Sequence, residues 1–299
     1  MALHLLPALL SRKREVLTAA TVPSAGTLRG IAAGNGMLLI VGPTGLTWRS
    51  TDKGKTWVSQ PHGFNNFFER VGFGNGQFIM TGGGGTLLRT TNGNPLLWPN
   101  GPAVGGGMTS TSYRTEYANG RYVNVSAGGR IRTSTDGDWW TDALNTSLSA
   151  LYGVKYMSGL WIAVGADLHM RTSTDGVSWT SWPTNLAIFG ENLYDIAHSG
   201  TAYVAVGTSG AVYRSTDAVT WVLQTSGPNT LWAVEYANGM FVAVGSGGMI
   251  LRSTDGTSWL TSVSGTTGRI NEVIFDGGVW YIIGDAGYVR RSYDAITWV

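Results

Sequence analysis

Two sets of residues in this sequence could do chemistry. The first is the stretch "RSTDGTSW", residues 252–259, which crowds an acid, hydroxyls, a glycine and a tryptophan into eight residues. Read alone, it has the makings of an active site or a metal loop. The second set emerges when strand-like segments are aligned on the "NG"-like turns that follow them. One column reads Arg29, Glu69, Tyr113, Tyr152, Tyr194, Trp232 and Asn271, and its neighbour reads Gly30, Arg70, Arg114, Gly153, Asp195, Ala233 and Glu272. Four aromatic rings beside several charges suit a polar, planar ligand such as a sugar, or equally a loop of another protein. Ring packing between neighbouring sheets would use the same aromatics, and that reading stands beside the binding one.

Repetition decides the first set. The acidic position of "RSTDGTSW" recurs as Asp52, Asn92, Asp136, Asp175, Asp217, Asp255 and Asp294, at successive separations of 38 to 44 residues. Each copy ends in a tryptophan: Trp57, Trp98, Trp140, Trp179, Trp221, Trp259 and Trp298. Seven dispersed positions cannot converge on one catalytic carboxylate pair or one metal cage. A short carboxylate can accept backbone N–H groups across its own turn, and serine or threonine can do likewise. Gly256 and its equivalents permit positive φ, and the indole buries a large ring between sheets. The copies are therefore expected to be structural corners.

The elements around each corner read alike. A first strand such as "LWAVEYA" (231–237) ends in "NG", a hairpin signal. A second, "MFVAVG" (240–245), stops at a glycine-rich turn, and a third, "MILRSTD" (249–255), leads into the corner. A fourth starts at the tryptophan, "WLTSVS" (259–264). Four short antiparallel strands in about 40 residues, repeated seven times, predict an all-β, seven-bladed β-propeller of four-stranded antiparallel blades. First strands are innermost in such a ring, so the two aligned columns are expected at the rim of its funnel, opposite the corners. The last unit stops one residue past its tryptophan. Residues 15–22, "EVLTAATV", resemble fourth-strand segments and are expected to complete the last blade, so the propeller spans 15–299. Residues 1–14 then form an N-terminal tail and a candidate partner-docking segment.

Composition narrows the partners. Among 299 residues there are 44 glycines and 13 tryptophans, only 13% are charged, and the net charge is +2. That balance suits turns and aromatic packing, and gives no warrant for nucleic acid as a partner. No cysteine is present and the four histidines are scattered, so neither a thiolate nor a histidine metal site is expected, nor any cofactor. The apolar run of "MALHLLPALLSRKRE" is too short to span a bilayer. Its basic residues follow it, which argues against a secretory signal, and its shortness argues against membrane insertion.

"STDKGKTW" (50–57) fits the Ser-x-Asp-x-Gly-x-Thr-Trp pattern and resembles the BNR or Asp-box repeat, over about residues 27–299. In that family the box is a peripheral turn between third and fourth strands. The resemblance implies a sialidase-like fold, but the sialidase motifs do not carry over. "LRGIAAG" (28–34) stands where their Arg-Ile-Pro motif belongs, sialidases have six blades, and no tyrosine–glutamate nucleophile pair can be assigned. Arg29, Arg70 and Arg114 lie on neighbouring blades and could bind an anion. The short repeat "FVAVGSGGMILRSTDGTSW" (241–259) is similar to repeats of bacterial-virus tail and virion proteins and of the photosystem II assembly factor. The export signal and basic patch of that factor are not evident here.

These readings lead to a non-enzymatic structural or binding propeller without catalytic residues. The expected context is a bacteriophage virion or tail, assembled in the host cytoplasm, engaging a protein partner such as a virion or assembly subunit, or attaching to a host surface. A glycan ligand, a lectin-like module, a membrane-complex assembly factor and an extracellular or cell-surface location are the alternatives. The rim varies too much between blades for a multivalent lectin, so one composite site is expected. Longer loops at 61–68, 100–112 and 181–192 add Trp182, His62 and Phe64 as exposed-aromatic candidates.

Overall fold

The computed structural model describes residues 16–18, 20, 22, 26–43, 46–61, 67–93, 110–145, 149–181 and 191–299. Seven antiparallel sheets follow one another along the chain, each paired in simple sequential order, and together they form a seven-bladed β-propeller. Five blades show four strands among the described residues. The second and seventh show three. The tail 1–14, His62, Phe64, Trp98 and Trp182 lie outside the described residues.

The sixth blade shows why these residues fold this way. Leu231–Ala237 turns through Asn238 and Gly239, both at positive φ (51° and 76°), into Met240–Gly245. That pair of left-handed residues matches the right-handed twist of a tight hairpin. The second strand is buried almost throughout because neighbouring blades cover both its faces, so it reads as a continuous apolar run. A Cβ on Gly245 would lie 2.2 Å from the Thr230 carbonyl, and only glycine lets the chain pass there.

The core is divided among the blade interfaces. Val204 and Val206 of the fifth blade meet Leu231, Val234 and Phe241 of the sixth, for example. Burying a side chain such as Phe241, at 0% exposure, contributes about 1.5–3 kcal/mol. The innermost strands touch in turn around the ring, and Ile270–Asp276 of the seventh blade meets Gly30–Gly34 of the first.

All seven corners have one hydrogen-bond pattern at their start. A serine or threonine hydroxyl donates to the Asp or Asn side chain two residues on, at 2.7–3.1 Å. At the stretch 252–259, Asp255 Oδ1 also accepts the amides of Thr257 and Ser258 (2.7 and 2.9 Å), and the Trp259 indole donates to the Gly256 carbonyl. Two corners place alanine where others use glycine, with Ala218 and Ala295 at φ 61° and 58°. Donated amides of Thr220 and Val219 and the Ser215 hydroxyl pull the Asp217 carboxyl down to about 2. The strand order puts these corners on the face opposite the starts of the first strands.

Closure joins the seventh blade to both ends of the chain. The Leu28 amide donates to the Gly284 carbonyl at 3.0 Å, and Val299 makes a rung against Arg291, at 2.8 and 3.0 Å. The Arg291 guanidinium, 1% exposed, donates to the carbonyls of Thr18 (2.6 Å) and Lys53 (3.0 Å). Val22 is buried among Leu28, Trp48, Val279 and Ile283. Of residues 15–22, those described are 16–18, 20 and 22, and none of them is in a strand.

Candidate binding site at the funnel mouth

The mouth of the central channel is built by a backbone irregularity repeated blade by blade. In six blades the register of the first strand slips by one residue close to its start, and the residue skipped is Glu69, Tyr113, Tyr152, Tyr194, Trp232 or Asn271. A β-bulge re-aims the side chain of its extra residue. Here the bulged residues of five blades border the mouth, whereas Asn271 of the seventh is buried away from it.

Five of those bulged residues converge. Glu69, Tyr113, Tyr152, Tyr194 and Trp232 line a cavity of about 220 Å³, together with Arg70 and Arg269. The four rings form a crescent with neighbouring centroids 5.0, 5.1 and 4.4 Å apart, from Tyr113 through Tyr152 and Tyr194 to Trp232. Their tilts are those of edge and offset contacts between rings. The rings therefore pack against one another from blade to blade and also wall the cavity. Burial, and then the nearby Glu69, push the Tyr113 phenol up from its ordinary range. Burial does the same to Tyr152. Both hydroxyls stay neutral near pH 7 and can donate. The Trp232 indole is occupied by the Ser246 hydroxyl at 3.0 Å.

The charged half of the site is paired. Arg29 donates from Nη1 to both oxygens of Glu69 at 2.7 Å. Arg70 holds Glu272 at 2.9 Å through Nε and spends its other nitrogens on the carbonyls of Arg29, Glu69 and Asn271. Arg114 reaches Glu272 at 3.1 Å and Asp195 at 3.4 Å. Against the cost of burial, Asp195 and Glu272 hold the Arg114 guanidinium above its usual range. The three arginines that the sequence offered as an anion clasp are thus already bound to carboxylates of the chain. The clasp is corrected to an internal ion-pair network.

Three further residues are corrected from rim to interior. Asp195, 1% exposed, accepts the amides of Ile196 and Val234 as well as facing Arg114. Asn271, also 1% exposed, donates to the Leu28 carbonyl at 2.8 Å and joins the seventh blade to the first. Glu272 is 4% exposed between Arg70 and Arg114. Below the mouth the ion pairs continue along a channel cavity of about 250 Å³, where Lys155 meets Glu235 at 3.1 Å near Glu116. Burial, then Lys155 acting in the opposite sense, leaves the Glu116 carboxyl raised. Sequence reasoning missed Glu116, Lys155 and Glu235. The strand period of two was the available signal, since they stand two residues beyond Arg114, Gly153 and Ala233 on the same inward face.

Arg269 was also missed. It precedes the last inner strand and sits outside both aligned columns. Its guanidinium lies over the Trp232 ring, 3.6 Å from the centroid. Burial, and then the neighbouring Arg70, lower it to about 10, which keeps it charged at neutral pH.

No protein-family model and no curated protein sequence matches this chain. Solved structures match its fold. YCF48 from Cyanidioschyzon merolae is 18% identical with a TM-score of 0.69, over 90% of this chain and 96% of that one. A structure of YCF48 bound to D1 peptide is 17% identical with a TM-score of 0.72, over 91% and 93% of the two chains. A catalytically inactive virginiamycin B lyase from Staphylococcus aureus with quinupristin is 14% identical with a TM-score of 0.75, over 91% and 96%. The neighbours thus include a binding propeller and an enzyme, and what they share with this chain is the fold.

Proposed function

We propose that this chain is a non-enzymatic propeller that holds an extended segment of a partner protein at its funnel mouth. The observation that carries this reading is the aromatic crescent of Tyr113, Tyr152, Tyr194 and Trp232 around one composite cavity. Large rings with few rotatable bonds lose little entropy on binding and dominate protein recognition sites. Two further facts support it. Three carboxylates at and below the mouth, Glu69, Glu272 and Asp195, are each engaged by a guanidinium, which suits a rigid support better than proton transfer at those three groups. Among the structural neighbours, YCF48 binds a D1 peptide. For context we propose a bacteriophage virion or tail, on the resemblance of the short Asp-box repeat, with residues 1–14 as the docking tail.

Selection of a random peptide library on the purified full chain tests the mouth, with a glycan array run in parallel. Enrichment on the wild type, and its loss with Tyr194→Ala/Trp232→Ala in a variant of unchanged circular dichroism, is the expected result. Glycan hits without peptide enrichment, or peptides indifferent to the double substitution, would refute the reading. Mass spectrometry of purified particles tests the context, and absence of the chain from them would remove it.

A further inference from the structure

We infer that the segment seated at the mouth is anchored by a carboxylate of a peptide on Arg269. This rests on the mouth reading above and adds the chemistry of its ligand. Four guanidiniums stand at or just below the mouth, and three are consumed: Arg29 by Glu69, Arg70 by Glu272, and Arg114 by Glu272 and Asp195. Arg269 differs from them. Among the described residues no carboxylate pairs with it, and its buried Nε, like that of Arg29, has no acceptor.

Asp285 attracts the Arg269 charge through space without forming an ion pair with it. Asp285 Oδ2 accepts the backbone amide of Arg269 at 3.3 Å, and its Oδ1 accepts from Asn271 at 3.5 Å. Both oxygens thus already accept an N–H of this chain. Leaving a charged donor desolvated and unpaired costs free energy that a ligand anion would restore.

The geometry also selects the anion. Trp232 covers one face of the planar guanidinium, so an incoming acceptor would have to meet it at an N–H edge, where a bidentate group fits best. A carboxylate matches that fork with a single charge. A phosphate dianion would sit in a cavity that Glu69 also lines, so the extra charge is disfavoured. The residue bearing the carboxylate, or the one before a free C-terminus, then lies against the aromatic crescent.

The experiment uses peptides enriched on the wild-type chain from a library with free C-termini. Each is resynthesised as the acid, as the C-terminal amide, and with each Asp or Glu changed to its amide. Binding to wild type, Arg269→Gln, Arg269→Lys and Tyr194→Ala/Trp232→Ala is measured by fluorescence anisotropy at two salt concentrations. We expect neutralising one peptide carboxylate, or Arg269→Gln, to weaken binding about 10- to 100-fold, non-additively, with partial recovery in Arg269→Lys. Whether the sensitive group is the C-terminus or a side chain identifies the source. Peptides lost with Tyr194→Ala/Trp232→Ala but indifferent to Arg269→Gln and to amidation would overturn the carboxylate anchor and leave the mouth standing. Peptides indifferent to the double substitution would overturn both.

Discussion

The corners and the mouth are opposite ends of the same blades, and they use their polar groups in opposite ways. At the corners, each Asp turns back on its own loop, as Asp255 does with Ser253, Thr257 and Ser258, and Asn92 shares their opening bond from the hydroxyl two residues before. At the mouth the contributions are unequal: Glu69 is paired, three tyrosines and Trp232 pack ring on ring, Asn271 is buried, and the Arg269 guanidinium lies on a ring without a carboxylate partner. A group repeated in every blade meets the same surroundings seven times and is satisfied locally. A group that occurs once has to find its partner across the ring or outside the molecule. Chemistry that recognises another molecule belongs to the unequal end.

The largest expected effect tests whether the paired part of the mouth is framework. Glu272→Ala leaves Arg70 and Arg114 facing each other without their shared carboxylate, and should cost about 3–5 kcal/mol in urea unfolding. A loss below about 1 kcal/mol would mean that the network is solvated and dispensable. Next, removing residues 1–22 uncovers the Val22 site and strips Arg291 of the Thr18 carbonyl. The cost should be about 2–4 kcal/mol, read as a lowered melting temperature with peptide binding intact. An unchanged melting temperature would show that the ring closes without this segment.

A corner should yield less. Asp255→Ala strands two amides and a hydroxyl, about 1–3 kcal/mol, and should leave binding at the mouth unaltered. Lost binding in a folded variant would erase the division between the two ends. The smallest effect is on pH. Asp217 and Asp52 ionise at about 2 in the fold against 3.8 ordinarily. A depressed carboxylate stabilises the fold above its unfolded pKa and loses that contribution as pH falls. The melting temperature should therefore decline between about pH 4 and pH 2, less steeply in Asp217→Asn. A flat profile across that window would show that the corner acids contribute nothing as ions.

Sequence by itself determined the architecture: seven units, their strand order, and the mouth column of Tyr113, Tyr152, Tyr194 and Trp232. Those follow from local physics, since a turn signal, a period of two and a spacing near 40 residues are all properties of nearby residues. It also marked which positions differ between blades. Only the tertiary structure decided what those differences do. Arg29, Arg70 and Arg114 read as three available cations, and ring closure gave each of them a carboxylate from another blade. Arg269 stood outside every alignment, and folding laid it on Trp232 without an anion. Pairing between residues as far apart as Arg114 and Glu272 depends on how seven sheets close into a ring, and no local pattern records that distance.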